Sequence, residues 1–316
     1  MATRIVTDLE VDYAAFMMKN AGLLAGNYGT GVTSWDHVAE AGAIMQAHGI
    51  PNDHPWYYAV NSFTQRSLAS NQRSLGAGGV AGQLIETAHE KATISKNFAG
   101  FDSVMTASTL ASHTQPATGD RAGTLSATPT GTYLAHKDTM TQTLAVTGFG
   151  TFSGTIPAGT VIQVTGRNRL NLSTRQPIID ETGANLLWTG VVTADATLTT
   201  GAGNLLVSGP AIFEAAGQYN TVSSALTSGD VVTLLGADST LYQPNIFWHK
   251  NAFSIGSVPM QKLYSTDTIA TTEDGMQIRV SKGASIRENK QIVRFDYRPA
   301  YGVMNPFFAG QGFGTA

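Results

Sequence analysis

The chain has 316 residues, 13% of them charged, and a formal net charge of −3; Gly (34 residues), Thr and other uncharged polar residues fill the place of the missing charge. A typical soluble domain carries about 25% charge, so this composition gives no general nucleic-acid-binding face, and 42% apolar residues at low net charge is not a disordered composition. The absence of Cys removes disulfides, thiolate catalysis and Cys-ligated metal together, while no run of 18 apolar residues predicts a membrane span and the opening MATRIVTDLE does not read as a signal peptide.

Residues 1 to about 100 read as helical. Ile5, Leu9, Tyr13, Phe16 and Met17 recur at helical spacing, which predicts a first helix over about 5–25 that ends in the glycine-rich stretch Gly26 to Gly31. Ser34 is placed to cap a second helix, with Trp35, Val38, Gly42 and Met45 on one face and Gly49 then Pro51 ending it. Asn61 is placed to cap a third through Leu75, and Val80 to Lys96 reads as a fourth.

From Phe101 the texture changes to short β-branched segments separated by Gly, Asn and Ser turns, among them 160–164, 187–192 and 230–235. Between 122 and 243 there are 11 charged residues, and this stretch reads as a compact β module, barrel or sandwich. After Pro244, Met276, Ile278 and Val280 alternate with polar residues, as do Val293, Phe295 and Tyr297. Alternation assigns each set to one strand face, which predicts a long antiparallel pair with the aromatics packed inward on the first helix and Arg294 and Asp296 turned to solvent or a neighbour.

Chemical motifs fail on context. Val32, not Lys, follows Gly31, so the glycine stretch is no phosphate loop; no strand precedes Gly76 to Gly82, so no dinucleotide fingerprint stands there. His89-Glu90 lacks a second His at 93, where Thr stands, and the seven His are scattered, so no zinc ligand set forms. The adjacent carboxylates Asp180 and Glu181 point to opposite sides of an extended chain. Asn171-Leu172-Ser173 is a chance glycosylation match. Seven basic residues (Lys262, Arg279, Lys282, Arg287, Lys290, Arg294, Arg298) interleave with five acids (Asp267, Glu273, Asp274, Glu288, Asp296), the pattern of a solvated face or of ion pairs between subunits. No catalytic residue, metal ligand or cofactor site is expected.

Read in order, weaker signals become specific. Trp35 to Pro51 is followed by Asn61 and a Leu-rich helix, then Gly100-Phe101-Asp102 and Ser112-His113-Thr114. The β module carries Gly159 to Gly166 and Thr174-Arg175-Gln176. Asn245 to Phe253 contains Phe247, His249, Lys250, Ala252 and Phe253; Met276 to Val280 follows, then Ile292 to Tyr297 with Arg294 and Asp296, then Tyr301-Gly302. This order resembles the major coat protein family of short-tailed phages in the Salmonella-phage group, over about residues 5 to 305. The His-Lys-x-Ala-Phe segment and the closing Arg-Phe-Asp strand are its most specific parts.

The resemblance implies an α+β tailed-phage capsid fold, with a peripheral domain of spine helix and long strands, an axial domain, and an inserted β-barrel-like domain. On this chain it assigns 1–32 to the spine helix, 33–121 to the mainly helical axial domain, 122–243 to the insertion, 244–275 to the axial return, and 276–316 to the long strands and C-terminus. It implies a structural role for Phe247, His249, Lys250, Ala252, Phe253, Arg294, Asp296, Tyr301 and Gly302. The implied function is self-assembly, through hexamers and pentamers of the chain, into an icosahedral virion shell around double-stranded DNA. Scaffolding and portal proteins are the implied partners, assembly occurs in the host cytoplasm, and neither cofactor nor membrane is involved. Relatives carry an N-terminal arm and extended loop before the spine helix; here the apolar stripe starts at Ile5, so the chain alone is expected to give monomers or irregular aggregates. The competing readings are a cellular nanocompartment subunit of the same fold, whose cargo-docking signature is not legible here, and an extracellular glycan-binding or tail protein, which predicts repeats and exposed aromatic stacks.

Overall fold

The structure is a computed structural model that describes residues 2–53, 55–75, 92, 94, 97–272, 275–285, 287 and 289–315. The expected fourth helix falls, but for Ala92 and Ile94, outside the described residues, as do His54 and His89. Described helices are α1 (Ala2–Asn20), α2 (Trp35–Ala47), α3 (Ser62–Leu75) and the single turn α4 (Tyr133–His136). The first strands are β1 (Leu23–Ala25), β2 (Trp56–Val60), β3 (Ser103–Thr106) and β4 (His113–Thr114). The middle of the chain supplies β5 (Ala122–Leu125), β6 (Thr141–Thr147), β7 (Gly154–Ile156), β8 (Val161–Asn168), β9 (Leu187–Val192), β10 (Ala196–Leu198), β11 (Gly203–Ser208) and β12 (Val231–Leu234). Then come β13 (Leu241–Tyr242), β14 (Asn245–His249), β15 (Phe253–Ser257), β16 (Thr268–Thr271), β17 (Gln277–Ser285), β18 (Lys290–Tyr297), β19 (Pro299–Val303) and β20 (Ala309–Gly312). The architecture is mixed α+β, dominated by strands. The chain divides into two compact units, Met1–Ala252 with Asn305–Ala316, and Phe253–Met304.

In the first unit the helix ends follow their local chemistry. Ser34 Oγ accepts from the Asp36 N–H (3.2 Å), and Asn61 Oδ1 accepts from that of Thr64 (2.7 Å), each satisfying a donor that the first turn leaves free. At the end of α2 the Gly49 N–H reaches Gln46 O and the Ile50 N–H reaches Met45 O, a Schellman ending that Gly49 permits with φ +82°. The buried face of α2 is Val38, Ala41, Gly42 and Met45. Trp35, expected on that face, is 42% exposed. As the first helical residue it directs its side chain back past the helix start, with no turn beneath it. Helix α1 ends five residues earlier than expected: it stops at Asn20, and 23–25 run extended as β1 because β20 offers a parallel partner, Leu23 opposite Gly310.

Two cores follow. A five-stranded sheet in the order β1-β20-β14-β2-β3 carries Tyr58, Val60 and Phe247 against Val38 and Met45 of α2, Leu68 of α3 and Phe101. A closed antiparallel barrel, β11-β6-β5-β12-β8-β9, encloses Leu144, Val164, Trp188 and Val207; closure leaves the barrel without edge strands. The segments read as β-branched at 160–164, 187–192 and 230–235 are β8, β9 and β12.

The second unit has the expected long antiparallel pair: β17 and β18 run in register from Ile278 opposite Tyr297 to Ser285 opposite Lys290, with β16 beside β17. A second ladder joins β15 to β19.

Candidate functional site

Among the described residues no three His, Asp or Glu side chains gather as a metal-binding group, and no helix is long and apolar enough to cross a membrane. Two open grooves among the described residues, one between Trp35, Gln46, Ile50 and Trp56 and one between Thr33, Arg66, Asn71 and Arg73, hold no carboxylate or histidine, so the positions carried by the resemblance are the natural place to look.

In the first unit these positions cluster at the end of β14. Phe247 is fully buried, stacked on Tyr58 across the β14–β2 ladder (6.1 Å, 12°), and its ring occupies the space a side chain at Gly310 would need. His249 is buried, its Nδ1 accepts from the Asn251 N–H (3.1 Å), its Nε2 faces the Asp53 carboxylate at 3.6 Å, and its ring stands edge-on to Phe308. The Ala252 N–H returns to His249 O (2.9 Å), closing a tight turn that leaves Lys250 exposed and Ala252 fully buried; Ala252 O then accepts from the Asn305 N–H. His249 and its neighbours thus form a turn that fixes where the chain leaves and re-enters the first unit.

In the second unit, Phe253, Tyr301 and Gly302 belong to the β15–β19 ladder, with Ile255 opposite Tyr301 and Ser254 opposite Gly302. Arg294 and Asp296 lie on β18, where Asp296 accepts from Arg279 and from Arg294. Those donors, Arg279 first, hold the Asp296 carboxyl below the ordinary carboxylate range. Arg294 is turned to solvent as expected, 65% exposed, but the expected orientation needs correction at Asp296 and Phe295. Asp296 is the covered side chain, 13% exposed, while Phe295 is 38% exposed. The reason lies in the 260–267 segment, which folds over the polar face: Met260 N–H donates to Gln277 Oε1, Arg279 Nη1 donates to Gln261 O, and Asp267 accepts from the Leu263 and Tyr264 N–H groups. Backbone acceptors and donors on that segment match polar side chains and not aromatic ones. The opposite face, with Val280, Val293, Phe295 and Tyr297, has its apolar atoms open to solvent at Val293 (40%) and Phe295.

The sequence shows the histidines scattered, and those at 136 and 249 are held by local hydrogen bonds. The described ones other than His37 are buried. His48 is fully buried, and that burial, with Arg169 and Arg175 nearby, pushes its imidazole well below its ordinary range. Arg169 was missed altogether. It is fully buried, and its Nη2 donates to Gly22 O (3.1 Å), Thr189 O (2.7 Å) and Thr189 Oγ1 (2.9 Å), pinning the barrel to the turn before β1. Nothing in the sequence distinguishes this arginine from Arg167 and Arg175, which are only half-buried, because its partners lie 20 and 147 positions away.

The chain matches the family model described as P22 coat protein - gene protein 5 over residues 1–314. It is also 35% identical over 318 residues to the major capsid protein of Acyrthosiphon pisum secondary endosymbiont phage 1, an alignment that covers 99% of this chain and 73% of that protein.

Proposed function

Because the chain belongs to the P22 coat protein family, we propose that it forms an icosahedral shell enclosing double-stranded DNA, with its parts divided as in the tailed-phage capsid fold. It is a structural capsid protein, not an enzyme, and its place is the virion. In this reading α1 is the spine helix, 33–121 with 244–275 the axial domain, 122–243 the insertion and 276–316 the peripheral strands and C-terminus. The closed barrel formed by strands between 122 and 234 supports the assignment of the insertion.

The observation that carries the assembly reading is the partly open apolar face of β17 and β18, where Ile278, Val280 and Tyr297 are half-buried and Val293 and Phe295 exposed. A three-stranded sheet is stable when its apolar face is packed, and here Val293 and Phe295 on that face are exposed. A neighbouring copy is the occupant that a shell provides in every position. Low charge fits the same role: a basic interior would hold DNA through its phosphates and slow its movement. Scaffolding and portal proteins, and assembly in the host cytoplasm, complete the proposal.

Electron microscopy tests it. The chain expressed with a scaffolding partner should give closed shells, and Phe295→Asp should keep the circular-dichroism spectrum of the free subunit while abolishing closure. Uniform shells from Phe295→Asp would remove this face from the interface.

A further inference from the structure

The barrel is connected to the rest of the first unit by two strands, and these are sewn to each other. Residues 113–121 lead in and 235–242 lead out, with β4 paired to β13, Tyr242 opposite His113. Asp238 accepts from the Thr118 and Gly119 N–H groups and from Arg121 Nη1 (3.2 Å). Arg121 Nη2 donates to Leu235 O (3.1 Å) and to Gln115 Oε1 (3.1 Å). That last bond fixes which way the Gln115 amide points. Its NH2 group therefore faces His113 Nε2, at 3.4 Å, and the Tyr28 hydroxyl stands 2.8 Å from the same nitrogen. The Gln115 NH2 can only donate, so the nitrogen facing it is read as an unprotonated acceptor, toward which the Tyr28 hydroxyl is free to turn its own proton. His113 is then neutral, with its proton on Nδ1, which is buried against Gly159 and has no hydrogen-bond partner among the described residues.

We propose that this neck is an acid-releasable clasp, closed only while His113 is neutral and loosened when its ring takes a second proton. Protonation would turn Nε2 into a donor facing the Gln115 NH2. Turning the amide to accept would break its bond to Arg121 and present NH2 to the guanidinium. The second N–H, on Nδ1, would remain without an acceptor. The groups around the ring add no compensating anion: Tyr28 comes from the loop after β1, Tyr242 from β13, Gln115 from its own strand and Gly159 from the turn before β8, with cationic Arg121 behind Gln115 and Asp238 engaged by Arg121 and the Thr118–Gly119 backbone. Tyr28 also packs on Tyr242 (4.9 Å) and Phe313 (4.5 Å), so a change at His113 reaches the C-terminal segment. The geometry agrees with the direction in which burial moves this ring, down to about 4.

Amide hydrogen exchange on the full chain tests the clasp. Between pH 7 and pH 5, corrected for intrinsic rates, opening of 113–115 and 240–242 should rise roughly twentyfold relative to barrel amides such as Leu144, the factor that a ring pushed from 6.5 to about 4 supplies. His113→Gln, which keeps an acceptor and cannot charge, should flatten that response, and the wild-type ring followed by NMR should titrate well below an ordinary histidine. The proposal falls if neck protection does not change between those pH values, if His113→Gln responds like wild type, or if the wild-type ring titrates in its ordinary range. The ring titration decides alone should the variant fail to fold.

Discussion

Arg279 and Asp296 stand directly opposite each other on β17 and β18, and the guanidinium donates from Nε (3.0 Å) and Nη2 (2.5 Å) to the same carboxylate oxygen, Oδ2. Arg294 holds the other oxygen. Cross-strand pairs of this kind fix register, because a one-residue slip of β18 would carry Asp296 to the opposite face, away from Arg279.

Asp296→Asn should therefore destabilise the second unit by about 1.5–3 kcal/mol, the range for hydrogen bonds to a charged group, read as lost exchange protection in β17 and β18. The sign of its pH dependence follows from a carboxyl held lower in the folded state than in the unfolded chain. The contribution is complete at neutral pH and disappears only as pH falls below about 4. A wild-type second unit that loosens near pH 6 in concert with Asp296 would contradict it.

The barrel should fold by itself. It has a core of its own and no open edge, so residues 122–243 expressed alone should give a β circular-dichroism spectrum and a cooperative melt. Trp188→Ala removes its largest fully buried side chain and should cost about 3–5 kcal/mol, visible as a lower urea midpoint.

The C-terminal segment supplies the second strand of the five-stranded sheet, between β1 and β14. A side chain at Gly310 would overlap the Phe247 ring and the Leu23 Cβ. Gly310→Ala should destabilise by about 1–3 kcal/mol or more through overpacking. A chain ended at Phe308 should be insoluble, since β1 and β14 would lose their shared partner. Soluble, cooperatively melting protein from that truncation would refute the role given to β20.

Acid sensitivity has a second source in His48. Its folded-state affinity for a proton is reduced by burial first and by Arg169 and Arg175 after it. The unfolded chain then binds the proton better, so stability contributed by neutral His48 is present above about pH 6.5 and declines as pH falls. His48→Leu should show a smaller drop in urea midpoint between pH 7 and pH 5 than wild type does.

The sequence by itself determined what is local. Ser34, Asn61 and Gly49 act within a few residues of themselves, so both ends of α2 and the start of α3 were legible from capping chemistry. The alternation in 276–280 and 293–297 was legible for the same reason, since strand faces have a period of two. The family's ordered motifs carried the function. The tertiary structure alone decided which face of a strand is covered. The alternation that made β18 recognisable says only that Phe295 and Asp296 lie on opposite sides; the backbone groups of 260–267, brought over by the fold, made the polar side the inner one. It likewise turned 23–25 from helix to strand by supplying β20 from nearly 290 residues away, and it buried Arg169 and His113 against partners that no local spacing encodes. Those choices depend on unions of distant segments, whose free energy belongs to pairs of residues and not to any one stretch of chain.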